Sequence, residues 1–551
     1  MNRTHGRRDF FVVREGVYEE ARELRCRAAT DVEELRKFRF SRIATFGKAV
    51  DVKILERVAK QMTAERAQQT STIPAGFTYL GQFVDHDLTL DKTRTKLGAA
   101  ITLDELIQGR SPALDLDSLY GLGPARQPEL YQDGLRLKVG ATRGTDLPAD
   151  DPIASRSLDG FDLPRVGAGS PADRRLAIIA DPRNDENLAV AQIHLSFIHL
   201  HNRMLDRVLA THTPAEAFEF SRAEVIKHYQ RMLLDDYLPR VCDAEVVSSV
   251  FERGRRVFET LPAHLQGAVT ATNYHALEPA IGYGTMPLEF SVAAFRLGHS
   301  MVCRSYEWNR VFSSQGAAQT PASPALLMRF SGTSGTLTPP DAPSESFDAL
   351  PTNWLPDWRR LFEFTQEIPV NLAEKIDTSL TPFLATLPEG SFGGFDNGAV
   401  GRDLQQHLAF RNLVRANMVQ LASAQQVHQL FVERQVPGYP RAMLTAEEIL
   451  GAETGMSLKG VLSDAEQSSF CANTPLWFYI LREAEVTAQG NRLGPMGSRL
   501  VAETFHRAME VSRHSILRDI RWRPQLGDGA KVRMTDLLLY GLGEAGLNPL
   551  G

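Results

Sequence analysis

The sequence predicts a mainly α-helical fold with long wrapping loops and little β structure. Three observations carry this. Apolar residues recur at spacings of three and four in segment after segment, strand-type alternation is scarce, and long stretches rich in Gly, Pro and Ser separate the periodic segments. Residues 1–70 mix both signs of charge from Glu15 to Lys37 and are expected to form a helical extension on a main domain of residues 71–551. Apolar periodicity predicts helices over 53–67, 188–210, 357–366 and 403–432. Thr213-Pro214-Ala215-Glu216 reads as a capping box with proline in the first turn. The helix it opens runs to about Pro239, with Phe218, Val225, Tyr229 and Met232 on one stripe. Another helix starts after Pro287 and aligns Phe290, Ala294, Leu297 and Met301. A further one starts at Gly494-Pro495 and turns Val501, Phe505, Met509 and Val511 to the core. The stretches 139–176, 313–356 and 387–401 are too long for simple connections and are expected to be lids or wrapping segments.

Composition narrows the function. Lys and Arg total 61 against 67 Asp and Glu, a net charge of −6, which excludes electrostatically driven nucleic-acid binding. With 43% apolar and 23% charged residues the chain is an ordinary globular one. Its four cysteines, Cys26, Cys242, Cys303 and Cys471, lie far apart, which excludes a zinc ribbon, a CxxC redox pair and a CxxCH haem attachment. Arg7-Arg8-Asp9-Phe10-Phe11 is similar to a twin-arginine signal, but only Val12 and Val13 follow before Arg14 and Glu15. The most apolar stretch, Leu188 to Leu200, is interrupted by Gln192, His194 and His199, so no membrane span is expected. The protein is expected to be soluble and cytoplasmic, with export by a route lacking a cleavable signal left open.

The chemistry concentrates in a few segments. In Thr78-Tyr79-Leu80-Gly81-Gln82-Phe83-Val84-Asp85-His86-Asp87, a helix would place Gln82, Asp85 and His86 on one face and turn Asp87 about 100° away from His86. The first face suits proton transfer, and Asp87 is a hard oxygen ligand for a cation. Alone, the segment also fits a polar turn capping a helix. Ser111-Pro112-Ala113-Leu114-Asp115-Leu116-Asp117 supplies oxygens at alternating positions: the Ser111 hydroxyl, the Ala113 carbonyl, and the Asp115 and Asp117 carboxylates. With Asp87 they make a mixed oxygen set suited to calcium, although a solvated acidic loop has the same composition. Asp181-Pro182-Arg183-Asn184-Asp185-Glu186-Asn187 opens the helix through His194, His199 and His201, with Arg183 and Glu186 three apart. In Phe295-Arg296-Leu297-Gly298-His299 a glycine directly precedes a histidine, which lets a flat group approach the backbone. Arg411-Asn412-Leu413-Val414-Arg415 flanks an amide with two arginines.

In this order and at these separations the blocks resemble the animal-type haem peroxidases of the peroxidase–cyclooxygenase superfamily, over roughly residues 70 to 545. The resemblance implies that family's helical fold and a haem b cofactor with Ca2+. It implies that His86 is the distal histidine, Gln82 its amide neighbour and Arg183 the distal arginine. His299 matches the ligand of the haem iron, and Asn412 the amide hydrogen-bonded to that ligand's other ring nitrogen. Arg296 and Arg415 match arginines near the haem propionates. Asp85 and Glu186 match carboxylates that are ester-linked to the haem in mammalian members. The calcium set would be Asp87, Ser111, Ala113, Asp115 and Asp117. Asn187 departs from the methionine that makes a third haem link in myeloperoxidase, so that link is not expected here.

The implied activity is reduction of hydrogen peroxide and oxidation of a small organic donor, a halide or a pseudohalide. The alternative is a haem-dependent fatty-acid dioxygenase of the same superfamily, whose radical tyrosine lies three residues before the proximal histidine. Here that position is Arg296, and no tyrosine lies between Phe290 and His299, although Tyr306 and Trp308 follow closely. A third reading, a calcium-binding interaction protein with a vestigial haem site, is disfavoured because each expected position holds the expected residue type.

Overall fold

The computed structural model describes residues 40–551 except 68, 94, 147–149, 261–283, 339–346, 366 and 452–455, with the backbone of 10–13 and 16–19. Helices dominate, and strands occur among the described residues only as two-stranded pairings. Within residues 1–70, expected to be helical, the described part holds one helix, Val52–Met62, and the strands Phe10–Val13, Gly16–Glu19 and Phe40–Ser41. Cys26 and most of the mixed-charge run lie outside the described residues.

The centre is the helix Leu188–Val208, begun by the Asn187 side chain accepting from the Val190 N–H at 3.0 Å. It packs against Gly76–Leu88, Pro214–Met232 and Met534–Leu547. The last of these approaches closely because residue 541 is glycine: a Cβ there would stand 3.1 Å from the Leu200 backbone nitrogen. Thr213 and Glu216 form the expected capping box, the Thr213 hydroxyl donating to the Glu216 carboxylate at 2.6 Å. One continuous apolar core takes in Leu55, Leu80, Phe197, Trp308, Phe410, Trp477 and Phe505. Burial on this scale, at roughly 25 cal/mol per Å² of apolar surface, is what holds the chain together.

Several sequence expectations need correction. The segment 403–432 is three helices, Arg402–Gln405, Leu408–Met418 and Ala424–Glu433. The His407 and Ser423 side chains each accept from a backbone N–H ahead and restart the helix, which periodicity cannot show. Among its described residues the segment 357–366 contains a single 3-10 turn, Trp358–Arg360, with Leu361 and Phe362 buried from irregular chain. The helix at 53–67 ends at Met62. The α-helix expected after Pro287 is a π-turn, Glu289–Ala293, followed by a 3-10 turn, Ala294–His299. Another π-turn, Leu233–Tyr237, interrupts the helix expected to reach Pro239. Such local rewinding re-aims side chains and concentrates at functional sites.

Candidate active site

A cavity of about 1340 Å³ opens between the Gly76–Leu88 helix, the turn Pro182–Asp185, the turn Ala294–His299 and the Leu408–Met418 helix. Its wall includes Gln82, Asp85, His86, Arg183, Glu186, Asn187, Arg296, His299, Asn412 and Arg415. Four sequence blocks that share no local contact thus converge on one space.

On the first wall the expected helix forms, and Asp85 and His86 are buried on it. Gln82 accepts from Asn187 Nδ2 at 2.9 Å and donates from Nε2 to Glu186 Oε2 at 3.5 Å, which ties the helix to the second block. Arg183 is held side-on by Asp181, with Nε to Oδ1 at 3.0 Å and Nη2 to Oδ2 at 2.7 Å. Arg110 donates to the same Asp181 Oδ2 at 2.6 Å. Burial works to raise the Asp181 carboxyl, but the two guanidiniums outweigh it and hold Asp181 well below the usual carboxylate range. Arg183 is correspondingly raised: burial opposes its charge and Asp181 restores it.

On the turn Ala294–His299, burial pushes His299 down to about 3, helped by the Arg296 charge, so its ring is neutral. Asn412 Nδ2 donates to His299 Nδ1 at 2.6 Å, and the Trp477 indole stands edge-on to the ring, 6.4 Å between centroids. Turning the amide of Asn412 exchanges donor for acceptor, moves the ring proton to Nδ1 and leaves the Nε2 lone pair for a metal. A Cβ at Gly298 would meet nothing nearer than the Thr78 carbonyl oxygen at 3.8 Å, so the backbone there is open to a flat group. Arg296 Nη1 donates to Asp85 Oδ2 at 2.9 Å, and Arg415 pairs with Asp91.

The acidic loop departs from the extended form expected. Leu116 adopts a φ of 55° and Asp117 opens a short helix, Asp117–Tyr120, so its oxygens do not alternate along one side. Asp87 does turn away from His86, accepting from the Leu116 N–H at 3.2 Å. The Ser111 hydroxyl donates to Asp117 Oδ2 at 2.8 Å, the Ser512 hydroxyl donates to Asp115, and Ala113 is buried nearby in sequence. Burial, with Asp117 and Asp115 adding to it, pushes Asp87 well above the usual carboxylate range, and Asp115 rises to about 6. Among the described residues no group of three or more His, Cys, Asp or Glu side chains is gathered closely enough to hold a metal ion.

Sequence reasoning gave no role to Asp181, Asn184 or His194, which it named only within a block, and missed Arg110. Asn184 Oδ1 faces His86 Nδ1 at 2.8 Å, and Asn184 Nδ2 faces His194 Nδ1 at 2.9 Å. Asp181 and Asn184 lie inside a block already singled out, but on a 3-10 turn sequence spacing does not assign faces. His199 and His201 lie elsewhere, on the Gly160 carbonyl and the Tyr120 hydroxyl.

The fold is shared with peroxidase A of Dictyostelium discoideum, at 17% identity and a TM-score of 0.56 over 93% of this chain and 94% of that one. It is also shared with the fatty acid alpha-dioxygenases of Oryza sativa (11% identity, TM-score 0.51, 86% and 76% of the two chains) and Arabidopsis thaliana (11%, 0.52, 91% and 76%). These likenesses define the class as the helical fold common to a peroxidase and to dioxygenases. A sequence model of the animal haem peroxidases matches residues 102–331. A peroxidase-like protein of Margaritifera margaritifera is 26% identical over 196 residues, 35% of this chain and 21% of its own length, so the match spans about a fifth of that relative. The matched segment, residues 102–331, is less than half of the chain, and over it the sequence is similar to the animal haem peroxidases. The open backbone at Gly298 beside the His299–Asn412 pair would fit a flat cofactor such as the haem of those proteins.

Proposed function

We propose that this chain is a haem-dependent peroxidase that reduces hydrogen peroxide and oxidises a small organic donor or a halide or pseudohalide ion. The observation that carries the reading is that His86, Arg183 and His299, from three distant blocks, line one cavity. A haem held by His299 would supply the redox-active metal, with Asn412 orienting that imidazole, and Arg296 and Arg415, paired here with Asp85 and Asp91, would turn to the propionates. His86 takes a proton from bound hydrogen peroxide and returns it to the departing oxygen, which requires a neutral ring. Arg183, fixed by Asp181, stabilises the negative charge that develops as the O–O bond stretches, an effect worth roughly a few kcal/mol. Gln82 positions Glu186 and Asn187 beside them. Asp85 and Glu186, which line the same cavity, would be the carboxylates that form ester bonds to the haem.

Calcium is part of the same proposal. The buried carboxylates of Asp87, Asp115 and Asp117 repel one another, and Asp117 Oδ1 has no hydrogen-bond partner. A divalent cation taken up by these groups, with Ser111 and the Ala113 carbonyl, would relieve that repulsion after local rearrangement.

The dioxygenase reading is favoured by the apolar part of the cavity wall, which includes Leu384, Leu387 and Phe392. Against it, Arg296 occupies the radical-tyrosine position and is engaged with Asp85. Guaiacol turnover with hydrogen peroxide against oxygen uptake with linoleate separates the two. His86→Ala should retain haem yet react with peroxide roughly 100-fold or more slowly in stopped flow. An unchanged rate removes His86 from the mechanism.

A further inference from the structure

We propose that Asn184 is a positioning residue that, together with His194, fixes the tautomer of His86 so that Nε2 is the proton acceptor. The inference rests on the peroxidase reading for its chemistry, but the hydrogen bonds that support it do not depend on a cofactor.

A neutral imidazole carries one N–H, and the partner of one nitrogen decides which nitrogen holds it. Asn184 Oδ1, an acceptor, faces His86 Nδ1 at 2.8 Å, so the His86 proton sits on Nδ1 and Nε2 keeps its lone pair. The other end of the amide faces His194 Nδ1 at 2.9 Å and donates to it. His194 is buried on the Leu188–Val208 helix with the Phe83 ring edge-on at 6.0 Å. Burial pushes it down to about 3, so it stays a neutral acceptor.

The amide is therefore gripped at both ends. Turning it would set a donor against the N–H of His86 and an acceptor against the lone pair of His194, and both rings would have to move their protons together. Asn412, with a single imidazole partner, has no such lock. The backbone under Asn184 is clamped as well: the Asp181 carboxylate accepts from the Arg183 N–H at 3.0 Å, and the Thr333 hydroxyl donates to the Pro182 carbonyl at 2.9 Å. Asn184 itself is fully buried.

The test is nitrogen-15 NMR of the full chain labelled at histidine, with and without zinc protoporphyrin as a diamagnetic haem substitute. The His86 signals are assigned by their loss in His86→Gln. The wild type should show a protonated Nδ1 and an unprotonated Nε2 at His86, and Asn184→Leu should show a mixture of tautomers. Asn184→Asp keeps the acceptor facing His86 and should restore the protonated Nδ1. In the iron holoprotein the peroxide rate should fall about tenfold or more in Asn184→Leu at equal haem content, and recover to within a few-fold in Asn184→Asp. A proton on Nε2 in the wild type overturns the proposal, as does an unchanged tautomer in Asn184→Leu. If Asn184→Leu does not fold, His194→Phe unpins the amide from its far end and must give the same mixture. A protonated Nδ1 that is lost with Asn184, in a protein inert to peroxide, would support the lock and refute only the peroxidase reading.

Discussion

Arg183 donates from Nη2 to the backbone carbonyl of His86 at 3.0 Å, so the guanidinium and the imidazole on the cavity wall are parts of one rigid unit. Arg110 reaches the same carbonyl from Nε at 3.3 Å, and both arginines close on Asp181. One buried carboxylate thus fixes two cations and the end of a helix.

Asp181→Asn should therefore destabilise the fold by about 3 kcal/mol, because it removes the carboxylate that two buried guanidiniums share. The Asp181 carboxyl is depressed in the folded state. Its contribution is present above the unfolded value of about 3.9 and is lost as pH falls through the lower folded value. Urea titrations at pH 7 and in acid measure both effects, and a loss under about 1 kcal/mol at pH 7 would show that the cluster is not cooperative.

Glu483 gives a pH effect of opposite sign. It is buried at the start of the Pro495–Val511 helix, accepting from the Met496 N–H at 2.9 Å and the Gly497 N–H at 3.3 Å. Burial pushes its carboxyl up to about 8. The folded state then holds a proton that the unfolded state releases above about 4.3, so stability falls as pH rises from there to about 8, by on the order of a few kcal/mol. Glu483→Gln should flatten that slope. An identical slope in the variant assigns the pH dependence to another group.

His299→Ala should abolish haem binding, since the variant removes the imidazole that, among the described residues, adjoins Gly298 and Asn412 at the cavity. The Soret absorbance of the purified variant reports it directly. A normal haem spectrum would refute the ligand assignment.

Chelation should lower the thermal midpoint of protein purified with calcium, and Asp87→Asn should reduce the shift. Asp87 links the acidic loop to the helix of His86 through the Leu116 N–H. Elemental analysis without calcium, and a midpoint indifferent to added calcium, would leave the acidic loop a structural cluster.

If Asp85 and Glu186 are ester-linked, acidified solvent should extract haem from the double variant Asp85→Val, Glu186→Gln but not from the wild type after peroxide turnover. Ready extraction from the turned-over wild type rules the links out.

Much of the site was legible along the chain because its residues come in short blocks. On a regular helix such as Gly76–Leu88, spacing alone puts Gln82, Asp85 and His86 on one face and Asp87 on another, and the structure agrees. The reading weakened where the backbone leaves regular geometry. His299 reaches the cavity from a π-turn and a 3-10 turn rather than the expected α-helix, and the loop 111–117 breaks its alternation at Leu116.

The helical class, the capped helix beginning at Thr213 and the short blocks of candidate residues were determined by sequence, because periodicity and caps are local properties of the chain. Tertiary packing alone decided that Asp181 also pairs with Arg110, that Asn184 spans His86 and His194, and that Arg296 meets Asp85. Those relationships join residues on separate elements, and their energies come from burial and from partners distant in the chain, neither of which a linear spacing encodes.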